Sequence, residues 1–349
     1  MNVLQRGIKN FGWPRLIIGI FLVGLFFVGS FTGISPVKSL SDVINRFGMN
    51  GILILSMVPM IQSGCGLNFG LPVGIVAGLL GAVLSLEFHL TGIGGILAAM
   101  LMAMVFAVVF GLGYGALLNR VKGDEMIIAT YVGYSLVYLM NLFWITLPFK
   151  NPSSVQGFKG EGLRSTISVE NYWANSISGF LEIRIGNRFV FPTGMILFFA
   201  LMCVVVWLFF KTKTGTAITA VGSNPEYARA SGININKMRI ISVVFSTVLA
   251  ALGIIIYQQS FGFIQLYNAP LAFHFPAVAA ILLGGASVNK ANIPNVIIGA
   301  ILFQGILTMT PSVINSLIAI DASDVLRIIV TNGMIVYALT RRERQGKNV

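Results

Sequence analysis

Apolar runs long enough to cross a lipid bilayer recur along almost the whole chain. Of its 349 residues, 56% are hydrophobic and only 10% are Asp, Glu, Lys or Arg, whereas roughly 25% are charged in an ordinary soluble domain. A helix needs about 20 apolar residues to cross roughly 30 Å of hydrocarbon. The runs therefore predict an all-α, polytopic bundle of transmembrane helices, embedded in lipid as a single domain over residues 1–349.

Gly, Pro and charged residues divide the runs into about ten predicted spans. The spans are expected near residues 16–33, 47–63, 67–86, 92–118, 125–148, 190–210, 238–261, 275–287, 294–311 and 324–340. The eighth span is short, and residues 261–275 before it fit a re-entrant connection. The third contains Gly70, Pro72, Gly74, Gly78 and Gly81. Such a helix is tolerated at membrane depth only where neighbours or a cavity satisfy its freed backbone groups, so we expect it in the protein interior.

Lys and Arg residues between the runs predict how the chain is oriented. Cytoplasmic loops carry an excess of Lys and Arg, and placing both termini in the cytoplasm gives such an excess. The inside set is then Arg6, Lys9, Arg15, Arg120, Lys122, Lys211, Lys213, Arg229, Lys237, Arg239, Lys290, Arg341, Arg342, Arg344 and Lys347. The smaller outside set is Lys38, Arg46, Lys150, Lys159, Arg164, Arg184 and Arg188. A long extracytoplasmic loop, 149–189, and a cytoplasmic segment, 211–239, follow from this topology.

The sequence shows no energy source within the chain itself. Its acidic residues all map to loops or to the ends of predicted helices, so no proton or sodium relay is expected inside the membrane. No GxxxxGK[ST] phosphate-binding loop occurs either. Transport would then depend on a partner, or the protein would be a passive channel.

Other classes of protein fit the sequence poorly. The formal charge of +12 is spread between apolar runs rather than gathered on one face, so no nucleic-acid partner is expected. Cys65 and Cys203 have no neighbouring Cys or His to complete a metal site. A membrane-embedded enzyme is disfavoured because no cluster of His, Asp, Glu or Ser has usable spacing.

A short helix is predicted within the cytoplasmic segment. Ser223, Asn224 and Pro225 form a helix start signal, and Glu226 is favourably placed near the helix N-terminus. Gly232 is a natural C-cap. A helix of about seven residues is not stable alone in water, so it needs a surface to dock against. The alternative is an amphipathic connector that lies on the membrane.

The segment from Lys213 through Gly232 resembles the coupling-helix motif of bacterial ABC-importer permeases for ribose, galactose, nucleosides and branched-chain amino acids. Gly222, Asn224, Pro225, Ala228, Arg229, Gly232 and Ile233 match that motif, and the run LLGGAS at 282–287 resembles the next landmark of the family. The resemblance implies that the ATPase-coupling residues are Gly222, Ser223, Asn224, Pro225, Glu226, Ala228, Arg229 and Gly232.

This resemblance also implies a fold and a set of partners. The fold would be that of the vitamin B12-type (type II) importer permease, in the bacterial cytoplasmic (inner) membrane. The chain would bind no cofactor and would not be an enzyme, because ATP and Mg would be bound by a separate cytoplasmic ABC ATPase. Further partners would be a second permease, identical or homologous, and an extracytoplasmic substrate-binding protein or lipoprotein.

Two departures from the family pattern leave the solute open. Sugar permeases open their third helix with Gly-Ile-Asp-Leu-Ser-x-Gly, whereas residues 65–70 read CGLNFG, closer to the Asn-x-Gly of nucleoside permeases. Lys290 to Pro294 stand where the family often has a Gly pair. A simple sugar and a nucleoside both remain possible, and a passive channel or a branched-chain amino acid permease are the alternative functions.

A solute pathway is expected along the broken third helix and the eighth region. A sugar or a base is held by a few amides and an aromatic face, which makes Asn68, Phe69, Gln258, Gln259, Phe261 and His274 the candidates. For each of them, plain packing or interhelical hydrogen bonding is the competing explanation. His274, close to Pro276, also fits a satisfied residue at a helix end.

Overall fold

The computed structural model describes residues 13–121, 123–155, 162–186 and 188–317, with positions 325, 328–329 and 332–333. Helices in chain order are α1 (Trp13–Phe31), α2 (Pro36–Leu55), α3 (Met57–Gln62), α4 (Leu71–Glu87), α5 (Gly92–Arg120), α6 (Glu125–Thr146), α7 (Thr193–Lys211), α8 (Lys213–Ser223), α9 (Pro225–Ala230), α10 (Ile235–Phe261), α11 (His274–Leu283) and α12 (Ile293–Leu317). Short strands lie in the connections: β1 (Thr166–Ser168), β2 (Ile183–Ile185), β3 (Phe189–Phe191) and β4 (Phe263–Gln265). The fold is mostly helical, and the all-α prediction misses these strands.

Six helical stretches of the described chain are long and apolar enough to cross a membrane. They are α2 with α3, then α5, α6, α7, α10 and α12. Three further apolar stretches are shorter, namely residues 15–31, 71–87 and 269–283. The predicted span at 324–340 lies almost entirely outside the described residues, so the total of ten spans stays a prediction.

The second and third predicted helices begin at other residues than expected. The second begins at Pro36 rather than near residue 47, because Ser35 is extended and Pro36 occupies the first turn. Asp42 and Arg46, predicted in an outer loop, therefore lie within α2. The third begins at Leu71 rather than at residue 67. The irregular residues 63–70, which we call the broken segment, separate α3 from α4.

Helix α4 lies in the centre of the bundle, between α5 and α10. Nearly all of its side chains are buried, and its glycines touch the backbones of the neighbouring helices. A Cβ on Gly74 would lie 2.7 Å from the Thr247 carbonyl oxygen, and one on Gly78 would lie 2.7 Å from that of Ala251. Small residues permit such close helix approach in membranes. The predicted interior position of this helix is confirmed.

Contacts between loops define the two ends of the bundle. Strand β1 pairs with β4 in antiparallel register, Ile167 opposite Ile264, and the Ser41 hydroxyl donates to the Val190 carbonyl oxygen at 2.7 Å. These contacts bring together the start of α2, the end of α10 and residues 147–155, 162–186 and 188–192, and we call this the long-loop end. The other end of α10, 27 residues or roughly 40 Å away, lies beside α9, and we call it the α9 end.

We expect Gly81→Ala to destabilise the protein strongly. A Cβ there would lie 2.5 Å from the Ala99 carbonyl oxygen and 2.5 Å from the Ala103 nitrogen, and overpacking of this kind costs about 1–3 kcal/mol or more. Gly113→Ala is the matched control, because nothing lies within 4 Å of that site. Thermal unfolding in detergent should show a lower midpoint for Gly81→Ala alone; equal midpoints would contradict the observed packing of α4.

Candidate functional site

The predicted short cytoplasmic helix is present as α9, with a cap at each end. Asn224 is the N-cap, and its Oδ1 accepts a hydrogen bond from the Tyr227 nitrogen at 3.0 Å. At the other end Gly232 has a φ of 78°, and the Ile233 nitrogen donates to the Ala228 carbonyl oxygen at 2.9 Å. This is the Schellman arrangement, which confirms Gly232 as the predicted helix stop.

The start of this helix differs in detail from the prediction. Ser223, expected in the start signal, is the last residue of α8, and α9 has six residues rather than about seven. Helix α8 itself was not predicted. Thr212 caps it by accepting a hydrogen bond from the Gly215 nitrogen at 3.2 Å. The segment predicted to be cytoplasmic therefore contains two consecutive helices, α8 and α9, rather than a loop with one helix.

Most side chains of α9 are exposed. Ala228 is buried, whereas Pro225, Glu226, Tyr227 and Arg229 are exposed. In the part of the chain that the structure describes, neither Glu226 nor Arg229 forms an ion pair. Tyr227 is 66% exposed, and it is absent from the predicted coupling residues although an aromatic side chain among charges is typical of protein interfaces. We call residues 223–232 the α9 surface.

Helix α8 connects the α9 surface to the interior. Gly222 packs directly on the Gln62 carbonyl oxygen, and a Cβ on it would also lie 2.9 Å from the Gly64 nitrogen. The Gln62 side chain in turn donates to the Ala291 carbonyl oxygen at 2.5 Å and to Asn292 Oδ1 at 3.3 Å. Gln62 is therefore a junction between α8, the end of α3 and the loop that precedes α12.

Asn68 joins the broken segment to two long helices. Its Nδ2 donates to Ser246 Oγ at 2.9 Å, and its Oδ1 accepts from the Tyr114 hydroxyl at 3.1 Å. Ser246 Oγ donates onward to the Ser56 carbonyl oxygen at 2.5 Å. Asn68 is only 1% exposed. Its geometry is that of interhelical hydrogen bonding, the alternative that competes with solute contact.

The other predicted pathway residues fall into separate places. Phe69 and His274 share an aromatic cluster, with ring centroids 6.5 Å apart, and Tyr134 joins it at 5.9 Å from His274. Gln259 Oε1 accepts from the backbone nitrogen of Ser178, at 3.2 Å, and so holds the long loop. Gln258 is buried. Among the six predicted pathway residues, only Phe261 lines the cleft described next.

A polar cleft of about 650 Å³ opens between α2, α10, α11 and α12 towards the long-loop end. Helix α2 supplies Asp42, Asn45, Arg46 and Asn50 to its wall, and α12 supplies Gln304 and Thr308. Tyr257 and Phe261 of α10 complete it with aromatic rings. The volume is within the range of roughly 300–1,000 Å³ for small-molecule sites. We call it the α2 cleft.

The α2 residues of this cleft are missing from the sequence prediction. The expected start of the second helix near residue 47 left Asp42, Asn45 and Arg46 in a loop. The sequence nevertheless indicates a helix here, because the polar residues at 42, 45, 46 and 50 recur with the spacing of one helix face.

Comparison with known proteins identifies the class. Residues 39–339 match the family described as the permease component of the branched-chain amino acid transport system. The chain therefore belongs to this family, and it is a permease of the ABC-importer superfamily, as the coupling-helix motif indicates. The family consists of transport components, and the several apolar helices of the chain are those of a multi-pass inner-membrane protein.

Three curated relatives illustrate the similarity. The ribose import permease protein RbsC of Escherichia coli K12 is 26% identical over 272 residues, which cover 76% of this chain and 75% of the relative. The nucleoside ABC transporter permease protein NupB of Lactococcus lactis is 25% identical, covering 57% and 52%. The autoinducer 2 import system permease protein LsrC of Shigella flexneri is 31% identical, covering 42% and 44%.

We expect Asn68→Ala to destabilise the broken segment. The substitution leaves the hydroxyl of Tyr114, which is 3% exposed, without its acceptor, and a buried polar group left unpaired costs about 1–3 kcal/mol. Asn236→Ala, at an exposed position, is the control. The measurement is the thermal unfolding midpoint in detergent, and a midpoint for Asn68→Ala as high as that of the control would show that the network is not stabilising.

Proposed function

We propose that this chain is the transmembrane permease subunit of an ATP-binding cassette importer that carries a simple sugar or a nucleoside across the cytoplasmic membrane. The single observation that carries the proposal is the α9 surface. It is a helix capped at both ends and exposed on nearly all sides, and it follows directly on Gly222 of α8, which packs on the Gln62 carbonyl oxygen.

The ATPase that drives transport is proposed to dock on the α9 surface. The coupling residues are those of the family motif, from Gly222 through Gly232, and we add Tyr227. Two charges that form no ion pair among the described residues, beside an exposed aromatic ring, fit a partner protein better than a lipid surface. An amphipathic connector would instead bury its aromatic ring in the headgroup layer among several basic residues. ATP and Mg are bound by that partner, and this chain supplies no cofactor site.

The contacts of Gln62 suggest how movement of α9 reaches the solute pathway. Gly222 packs against the end of α3 with no room for a Cβ, so we propose that a displacement of α9 is passed through α8 to Gln62. Gln62 is hydrogen-bonded to Ala291, and the broken segment that follows it holds Asn68 and Phe69. The proposed pathway comprises Asn68, Phe69, Gln258, Gln259, Phe261 and His274 together with the α2 cleft.

The relatives support the proposed solute class. They are named for ribose, nucleosides and autoinducer 2, which favours a sugar or nucleoside over a branched-chain amino acid. A passive channel needs no partner protein, so it does not explain an exposed helix such as the α9 surface. A second permease and an extracytoplasmic binding protein or lipoprotein complete the proposed importer, with both termini of this chain in the cytoplasm.

Reversal of the charges on the α9 surface tests the proposed coupling. Glu226→Lys combined with Arg229→Glu should leave expression normal but abolish co-purification of the ATPase or its stimulation by solute, because like charges then face the partner at a cost of several kcal/mol. Tyr227→Ala should weaken the association without any change of charge.

The matched control exchanges charges at the opposite end. Glu182 and Arg184 form an exposed ion pair of 3.0 Å in the long loop, and Glu182→Lys with Arg184→Glu reverses both signs there. We expect this control variant to co-purify with the ATPase as the wild-type chain does. If the α9 double variant also retains it, with wild-type stimulation, the docking proposal is wrong.

Labelling of cysteines tests the proposed orientation. In a chain with Cys65 and Cys203 replaced by Ser, Ser168→Cys should react with an impermeant thiol reagent in intact cells and Ser223→Cys should not, because the charge excess places the α9 end inside. Both positions are exposed, so access depends on the side of the membrane. Labelling of position 223 alone would reverse the topology and remove the α9 surface from the reach of a cytoplasmic ATPase.

A further inference from the structure

We propose that the α2 cleft is a solute site that recognises two adjacent ring hydroxyls through Asp42 and Arg46, an inference that rests on the proposed importer function. The chemistry is shared by a free pentose and by the ribose of a nucleoside. It adds to the pathway a charged pair that lies at least 22 residues along the chain from every pathway residue predicted from the sequence.

The two charges are available to a ligand. Asp42 and Arg46 are exposed and line the cleft, and among the described residues neither forms an ion pair. They lie in a helical stretch, 36–62, that is apolar enough to span a membrane. Charged side chains within spans are costly, face cavities, and mark substrate pathways. Two such charges without partners on one cleft wall therefore point to a bound solute.

The spacing of the pair suits a vicinal diol. Residues i and i+4 of a helix have Cβ atoms about 5–6 Å apart, so Asp42 and Arg46 can converge on one small group. A carboxylate accepts hydrogen bonds from hydroxyl groups, and a guanidinium donates hydrogen bonds to them. Each hydroxyl of a diol can donate one hydrogen bond and accept another. An acidic side chain recognises ribose hydroxyls in dinucleotide sites by the same chemistry. Because the two charges cancel, a neutral solute fits better than an ion.

The opposite wall provides a surface for the ring. Tyr257 and Phe261 are stacked, with centroids 5.5 Å apart and planes inclined by 29°, and both line the cleft. The outer ring face of such a stacked pair can pack against the apolar face of a sugar ring or against a planar base. Asn45 is also placed at the cleft, its Oδ1 accepting from the Ser260 hydroxyl at 3.4 Å.

Binding to the purified full-length chain in lipid nanodiscs tests the inference, with radiolabelled adenosine and D-ribose as probes and 2′,3′-dideoxyadenosine as competitor. We expect Asp42→Asn and Arg46→Gln to weaken binding of the diol probe by about tenfold or more, the usual worth of hydrogen bonds to charged groups. The dideoxy compound should compete poorly with the wild-type chain. Tighter binding of adenosine than of D-ribose would identify the source as a nucleoside, and equal binding would identify the ribose ring alone.

Matched controls are available on the same helix and at the same end. Lys38 of α2 and Glu170 of the long loop are exposed and do not line the cleft, so Lys38→Gln and Glu170→Gln should bind as the wild type does. The dideoxy comparison needs no substitution and remains valid if a variant fails to fold.

Three outcomes would overturn the inference: wild-type affinity in both cleft variants, equal affinity for the dideoxy compound, or no binding of either probe. Association of the ATPase with the same preparations separates this inference from the proposed function. If the ATPase still associates and any of these three outcomes is found, only the cleft assignment is wrong. If the wild-type chain does not associate with the ATPase, the proposed importer function itself is wrong.

Discussion

Direct backbone contact between α4 and its two neighbours is the constraint on which the rest of the structure depends. In lipid there is no hydrophobic driving force between apolar helices, so their association relies on close packing. Gly74 and Gly78 bring α4 onto the backbone of α10, and Gly81 brings it onto that of α5. With α4 held in the centre, the non-helical residues 63–70 are enclosed by protein, the only condition under which irregular backbone is tolerated at membrane depth.

The enclosed broken segment links the interior to the surface at the α9 end. Gly64, with a φ of 74°, turns the chain beneath Gly222, and Asn68 fastens the segment to Tyr114 and Ser246. A partner that pushes on the α9 surface would therefore press on a packed contact rather than on a flexible loop. This packing is the physical basis for the proposed coupling, because coupling between two sites is carried by chains of packed side chains and hydrogen bonds.

The α2 cleft lies at the opposite end of the bundle, and two charged side chains of α2 line it. The other charged residues of the described helices lie within five residues of a helix end, whereas Asp42 and Arg46 lie further inside a helical stretch that is long and apolar enough to cross a membrane. Such exceptions concentrate at functional sites because the cost of a charge must be offset by a partner or a ligand. Helix α2 also continues into α3 and ends at Gln62, so one helical path connects the cleft with the contact of α8.

The sequence by itself determined the class of the protein, most of the stretches that are long and apolar enough to cross a membrane, the interior position of α4 and the caps of α9. These features are local: an apolar run, a glycine repeat and an Asn-Pro start each act over a few neighbouring residues. The prediction placed the start of α2 too late, because polar residues in a sequence suggest a loop. In the structure these side chains lie on a helix and line the cleft. Only the tertiary structure decided which polar groups meet, since Asn68 and Ser246 are 178 residues apart and Gln259 bonds to a loop 81 residues earlier. Side chains far apart in sequence become partners only when the packing of the backbones fixes their distance.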